Sequence, residues 1–133
     1  MAYEVLFFCR CTQSHAEDFR GEFSSYLRQG IPSLMEASVA SGPSWVAVDF
    51  LVDPPSDACR VTFRLYDDVV ASELSRVSRE STDGAVGQSN ALGELVLSGS
   101  PDSGLVNLIW STFVEFFDGI PYDEESGFEA MLS

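Results

Sequence analysis

The residues with the greatest chemical potential here are three cysteines, Cys9, Cys11 and Cys59, and a single histidine, His15. Thiolates and imidazoles are the usual ligands of zinc, and four such groups would suffice for a tetrahedral site. The run Cys9-x-Cys11-x3-His15 does not have a zinc spacing, however, and thiols in apolar strands behave as small hydrophobes. Residues two apart on a strand share a face, with β-carbons about 6–7 Å apart, too far for an unstrained disulfide between Cys9 and Cys11. The expectation is three reduced thiols, no metal and no cofactor. Nucleophilic catalysis would need His15 as its base. That residue falls in the first turn of a predicted helix, with no nucleophile elbow nearby. The run from Gly84 to Gly93 holds three glycines but lacks the lysine of a phosphate loop, and reads as a mobile loop. With no catalytic constellation, the sequence reads as that of a protein that is not an enzyme.

Charge is the stronger signal. Aspartate and glutamate total 21 against seven arginines and no lysine, for a net charge of −14. Up to Thr82 there are 12 acids and 7 bases, and from Asp83 onward 9 acids and no base. Such a domain repels nucleic acid and anionic membranes, and it attracts a basic protein partner. The odd cysteine count, with no signal segment ahead of it, suits a reducing, cytoplasmic setting. No apolar run approaches the roughly 18 residues a membrane helix requires. The 133 residues suit a single domain, 1–133.

The elements that must position these residues follow from periodicity. Tyr3 to Cys11 reads as a central strand, with Tyr3, Val5, Phe7, Cys9 and Cys11 on one face and Leu6 and Phe8 on the other. Ser14-His15-Ala16-Glu17 has the form of a capping box. The helix it opens carries the stripe Ala16, Phe19, Phe23, Tyr26, Leu27 and stops at Gly30. Pro32 then opens a short helix through Leu34, Met35 and Ala37, ending near Gly42. Trp45 to Val52 and Cys59 to Tyr66 form an antiparallel hairpin, the second strand alternating cleanly with Arg60, Thr62, Arg64 and Tyr66 outward.

Asp67 or Asp68 caps a helix running to about Glu80, and Glu94 to Ser98 is a short strand. Ser100-Pro101-Asp102 opens the last helix, whose stripes are Leu105, Ile109, Phe113, Phe116 and Val106, Trp110, Val114, Phe117. Gly119-Ile120-Pro121 ends it, as Gly30-Ile31-Pro32 ends the first, by shared helix-stop chemistry. The expected fold is a two-layer α+β domain, with a mostly antiparallel sheet covered on one face by the first and last helices.

The sharpest local feature is the C-terminal stretch, where Asp118, Asp123, Glu124, Glu125 and Glu129 lie around Tyr122 and Phe128. Acids between aromatics suit contact with a basic protein surface. Arg60, Arg64 and Tyr66 form the one basic cluster, for which internal ion pairs are the expectation.

The small acidic α+β character, together with Gly119-Ile120-Pro121-Tyr122-Asp123-Glu124-Glu125-Ser126-Gly127-Phe128, resembles bacterial immunity proteins of contact-dependent and type VI secretion toxin systems. The resemblance implies a cytosolic antidote that binds a cognate toxin and masks its basic or active-site surface. Two alternatives from other classes are a phage-encoded inhibitor, such as an anti-CRISPR or DNA mimic, and a small ligand-binding domain or enzyme using a pocket between sheet and helices.

Overall fold

The computed structural model describes residues 3–52, 57–77 and 86–123. β1 (Tyr3–Cys9) is followed by α1 (Ala16–Gly30), β2 (Leu34–Ser41), β3 (Trp45–Val52) and β4 (Cys59–Leu65). Then come α2 (Asp68–Val77), a single 3-10 turn at Val86–Gln88, β5 (Ala91–Leu97), α3 (Ser103–Phe116) and β6 (Ile120–Tyr122). The six strands form one sheet in the order β2-β3-β4-β5-β1-β6, with every neighbouring pair antiparallel. This is an α+β fold, as expected, and β1 lies between β5 and β6, as its apolar residues on both faces require.

The main core lies between the sheet and the α1/α3 layer. Phe19, Phe23 and Leu27 from α1 meet Leu105, Ile109 and Phe113 from α3 over Val5, Phe7, Val48, Phe50, Val61 and Phe63, all buried. Phe113 is at its centre. Its ring stacks on Phe7 with centroids 4.5 Å apart and packs against Phe23 at 4.4 Å. It also lies directly on Gly93, where a β-carbon would fall 2.3 Å from the ring. Gly93 is therefore a strand residue, opposite Phe7 and Phe63, rather than part of a mobile loop. The absent side chain is what lets α3 approach the sheet. The last stripe of α3 runs out before its end: Phe116 and Val114 are exposed, and Phe116 stacks on Tyr26 instead.

The sheet also has a second cover. Val70, Leu74 and Val77 of α2 pack with Leu6, Phe8, Leu92 and Tyr122 on the opposite face. The domain is thus three layers deep over β5, β1 and β6, and two layers deep over the other strands. The two faces of β1 divide between these cores, so here the sheet is covered on both faces, whereas the sequence led to the expectation of cover on one face only.

The expected helix from Pro32 is instead the edge strand β2. Its backbone pairs along β3 from Leu34↔Val52 to Ser41↔Val46, with an irregularity between Glu36 and Ser38. The segment has only Leu34 to bury and no helical apolar stripe beyond it. Pairing with the apolar strand β3 satisfies its backbone groups better than an isolated turn of helix. Glu36 turns to α1, accepting hydrogen bonds from Arg20 at 2.6 Å, Ser24 at 2.9 Å and Arg28 at 2.7 Å. The two Gly-Ile-Pro triplets each precede an edge strand, β2 and β6, but only the first ends its helix: Gly30 is the last residue of α1, whereas α3 already ends at Phe116 and Ile120 and Pro121 lie within β6.

Two helix starts fall later than expected. His15, not Ser14, is the N-cap of α1, without a side-chain capping bond, and Glu17 bonds Arg20 rather than closing a capping box. Asp102, not Ser100, caps α3 by accepting the Leu105 N–H at 2.9 Å. Ser100 is drawn away by its N–H bond to Asp57 at 2.6 Å, and Pro101 bridges to the same residue. Asp102→Ala is expected to destabilise the fold by about 1 kcal/mol. Urea unfolding should show this as a lower midpoint at unchanged slope, and an unshifted midpoint would remove the cap from the account.

Candidate functional site

The covering of the second face is incomplete, and its margin forms a groove. Val69, Glu73 and Arg76 of α2 enclose, with Leu6, Leu92 and Tyr122 of the sheet, a hollow of about 400 Å³. Register fixes its acids. Leu6 stands opposite Glu94 on one side and Tyr122 on the other, so Glu4, two residues earlier, falls on the same face and diagonal to Glu94. Glu4, Glu73, Glu94 and Asp123 all line the groove. An apolar floor with an acidic rim is complementary to a cation carried on an aliphatic stem.

Glu94 and Glu4 are the electrostatic centre. Burial, the hydrogen bond with Glu4, the Glu4 charge and the Glu73 charge push the Glu94 carboxyl up to about 7, against an opposing pull from Arg64. Among the described residues neither Glu4 nor Glu94 has an arginine within ion-pair distance. Their neighbour Glu73 does. Arg76 donates to Glu73 at 2.5 and 3.1 Å and lies 5.5 Å over the Tyr122 ring. Asp123 accepts from the Tyr3 hydroxyl at 3.0 Å.

The site expected at the C terminus is divided by the structure. Tyr122 and Asp123 line the groove, but Tyr122 is only 3% exposed. Its ring packs on Phe8 and under Arg76, so it is a core residue and not an exposed anchor. Asp118 lies in a separate hollow with Arg10, Glu22 and Phe116. It adopts a left-handed backbone (φ 51°) where the chain turns from α3 into β6. Glu124, Glu125, Phe128 and Glu129 lie outside the described residues. Sequence reasoning missed Glu4, Glu73 and Glu94. The available signal was a lone acid in each of two apolar strands, Tyr3–Cys9 and Ala91–Leu97.

The sulfur and imidazole groups lie elsewhere. Cys9, Cys11 and Cys59 are buried free thiols, and His15 is exposed beside Asp18 at 3.5 Å. Burial drives the Cys9 thiol far up and, with the Asp102 charge, pushes Cys59 up to about 11, so both remain protonated at neutral pH and are poor nucleophiles. Among the described residues no three His, Cys, Asp or Glu side chains are grouped to hold a metal ion.

The outward arginines of β4 are internally paired, as expected. Arg60 grips Asp49 with two bonds, at 3.0 and 3.2 Å. Arg64 bonds Asp67 at 3.1 Å and lies 5.8 Å over the Trp45 ring. Burial pushes the Asp67 carboxyl up, but hydrogen bonds from Ser44 and the Val70 N–H, with the Arg64 contact, outweigh it and hold Asp67 below its ordinary range. Asp67 is thus both the cap of α2 and the anchor of Arg64.

Fold and groove together define an acidic α+β domain with a half-covered sheet. The chain matches no family model, and no curated protein or solved structure is significantly similar to it. No helix among the described residues is long and apolar enough to cross a membrane.

Proposed function

We propose that this protein is a cytoplasmic binding protein that neutralises a basic protein partner, as an immunity protein holds a cognate toxin. One observation carries the reading: the arginines among the described residues are used internally. Arg20, Arg28, Arg60, Arg64 and Arg76 each pair with an acid of their own chain, and Arg10 donates to Gln88. The surplus acids are left to set the outward field, which favours encounter with a basic surface. Among the described residues, Glu4, Glu73, Glu94 and Asp123 line one hollow, Asp49 and Asp57 a second, and Glu22 and Asp118 a third, rather than one exposed ladder. That arrangement supports contact with a protein at discrete points over imitation of a DNA backbone.

The test is co-expression with the product of the adjacent gene. The expected results are a co-purifying complex and restored growth where that product alone is toxic. A product that neither binds nor is neutralised would overturn the reading.

A further inference from the structure

We propose that the groove between α2 and the sheet receives an arginine side chain of the protein partner, its stem over Leu6 and Leu92 and its guanidinium between Glu94 and Glu4. The inference rests on the basic-partner reading above and names the point of contact. Three features of the groove select this occupant.

The floor is aliphatic and closely packed, with Leu6 and Leu92 only 8% and 2% exposed, while Val69 at its rim is 47% exposed, so the methylenes of a long side chain find their apolar surface chiefly against Val69. The two carboxyls are diagonal neighbours on adjacent strands. That placement offers several acceptor oxygens to a planar group with five donors, which a guanidinium matches better than an ammonium. Finally, among the described residues the pair lacks an arginine of its own, whereas Glu73 in the same groove pairs with Arg76, and elsewhere on the domain Asp49 and Asp67 pair with Arg60 and Arg64. The domain already uses arginine against carboxylate and ring in this groove, since Arg76 bonds Glu73 and covers Tyr122.

Entry of the cation has a proton consequence. Glu94 is faced by Glu4 from β1, Arg64 from β4, Glu73 and Arg76 from α2, and Asp123 from β6. The acids outnumber the bases, so at neutral pH Glu94 retains a proton for part of the time. A guanidinium between them favours the doubly charged form, and that proton passes to water. Binding therefore tightens as pH rises through about 7. If only the deprotonated form binds, apparent affinity should rise about tenfold between about pH 6 and about pH 8.

The experiment is an amide NMR titration of the full chain with N-butylguanidinium, which reproduces the stem and head of arginine, with 1-butanol as the uncharged control. The expected result is saturable shifts confined to Leu6, Glu73, Leu92 and Glu94, about tenfold tighter at the higher pH and lost in Glu94→Gln. Thermal unfolding of that variant checks that it is folded. Absent or surface-wide shifts, equal binding of butanol, or equal binding by Glu94→Gln would overturn the inference. The basic-partner reading is judged separately by complex formation. A partner that binds Glu94→Gln as well as the native protein would remove the groove and leave that reading standing. A groove that takes butylguanidinium while no basic protein binds would do the reverse.

Discussion

Phe113→Ala is expected to cost about 3–5 kcal/mol of folding stability, through lost transfer energy and an incompletely closed cavity. The ring is fully buried and touches four elements at once: Phe7 in β1, Phe23 in α1, Phe63 in β4 and the bare backbone of Gly93 in β5. No neighbour can move into its place without leaving its own contacts, so the collapse that rescues some truncations is blocked. Denaturant unfolding measures the loss directly. A loss below about 1 kcal/mol would mean that α3 is not seated on the sheet as described.

Glu94→Gln is expected to act in the opposite direction, and only above mildly acid pH. The folded carboxyl is pushed from 4.5 to about 7, chiefly by burial and by its hydrogen bond with Glu4. The native state therefore holds this proton more tightly than the unfolded chain between those values. Stability associated with Glu94 is fully present below about 4.5 and is lost as pH rises through about 7. The displacement sets an upper bound of about 3 kcal/mol, which the half-open position reduces to about 1–2 kcal/mol. Near pH 8 the glutamine variant should thus be the more stable protein by that amount, and the gap should close toward pH 4–5. Chemical unfolding of both proteins across this range gives the difference curve. A flat difference, or a variant less stable at high pH, would show that Glu94 carries no such strain. A carboxylate that weakens its own fold is a familiar mark of a residue kept for binding.

What the sequence revealed follows from how local each signal was. β4 alternates residue by residue, and the β3–β4 hairpin is closed by a short connection, so both were legible directly. The Asp67 cap, the stop at Gly30 and the apolar face of α3 are also matters of a few neighbouring residues. β2 was misread because Pro32 gives a genuine local helix signal, while the competing signal is a pairing with β3 that only the folded sheet supplies. Helix starts at His15 and Asp102 moved because Glu17 and Ser100 found partners other than those that would have completed the expected caps. The groove was least legible of all. Glu4 and Glu94 are each a single acid in an apolar strand, and nothing in either segment reveals that the two become diagonal neighbours across β1 and β5. Tyr122 reads as an exposed aromatic beside acids until α2 is placed on the second face, where it becomes core.

The central claim is that uncompensated acids on this domain capture a basic protein. It is tested most directly by the association rate of the adjacent gene's product, measured at rising salt with the native protein and with Glu4→Gln/Glu94→Gln. At physiological ionic strength charges are screened beyond about 8 Å. The account predicts association that slows steeply as salt rises, with the variant slower at low salt and flatter in its salt dependence. Association that is independent of salt and unchanged in the variant would contradict it.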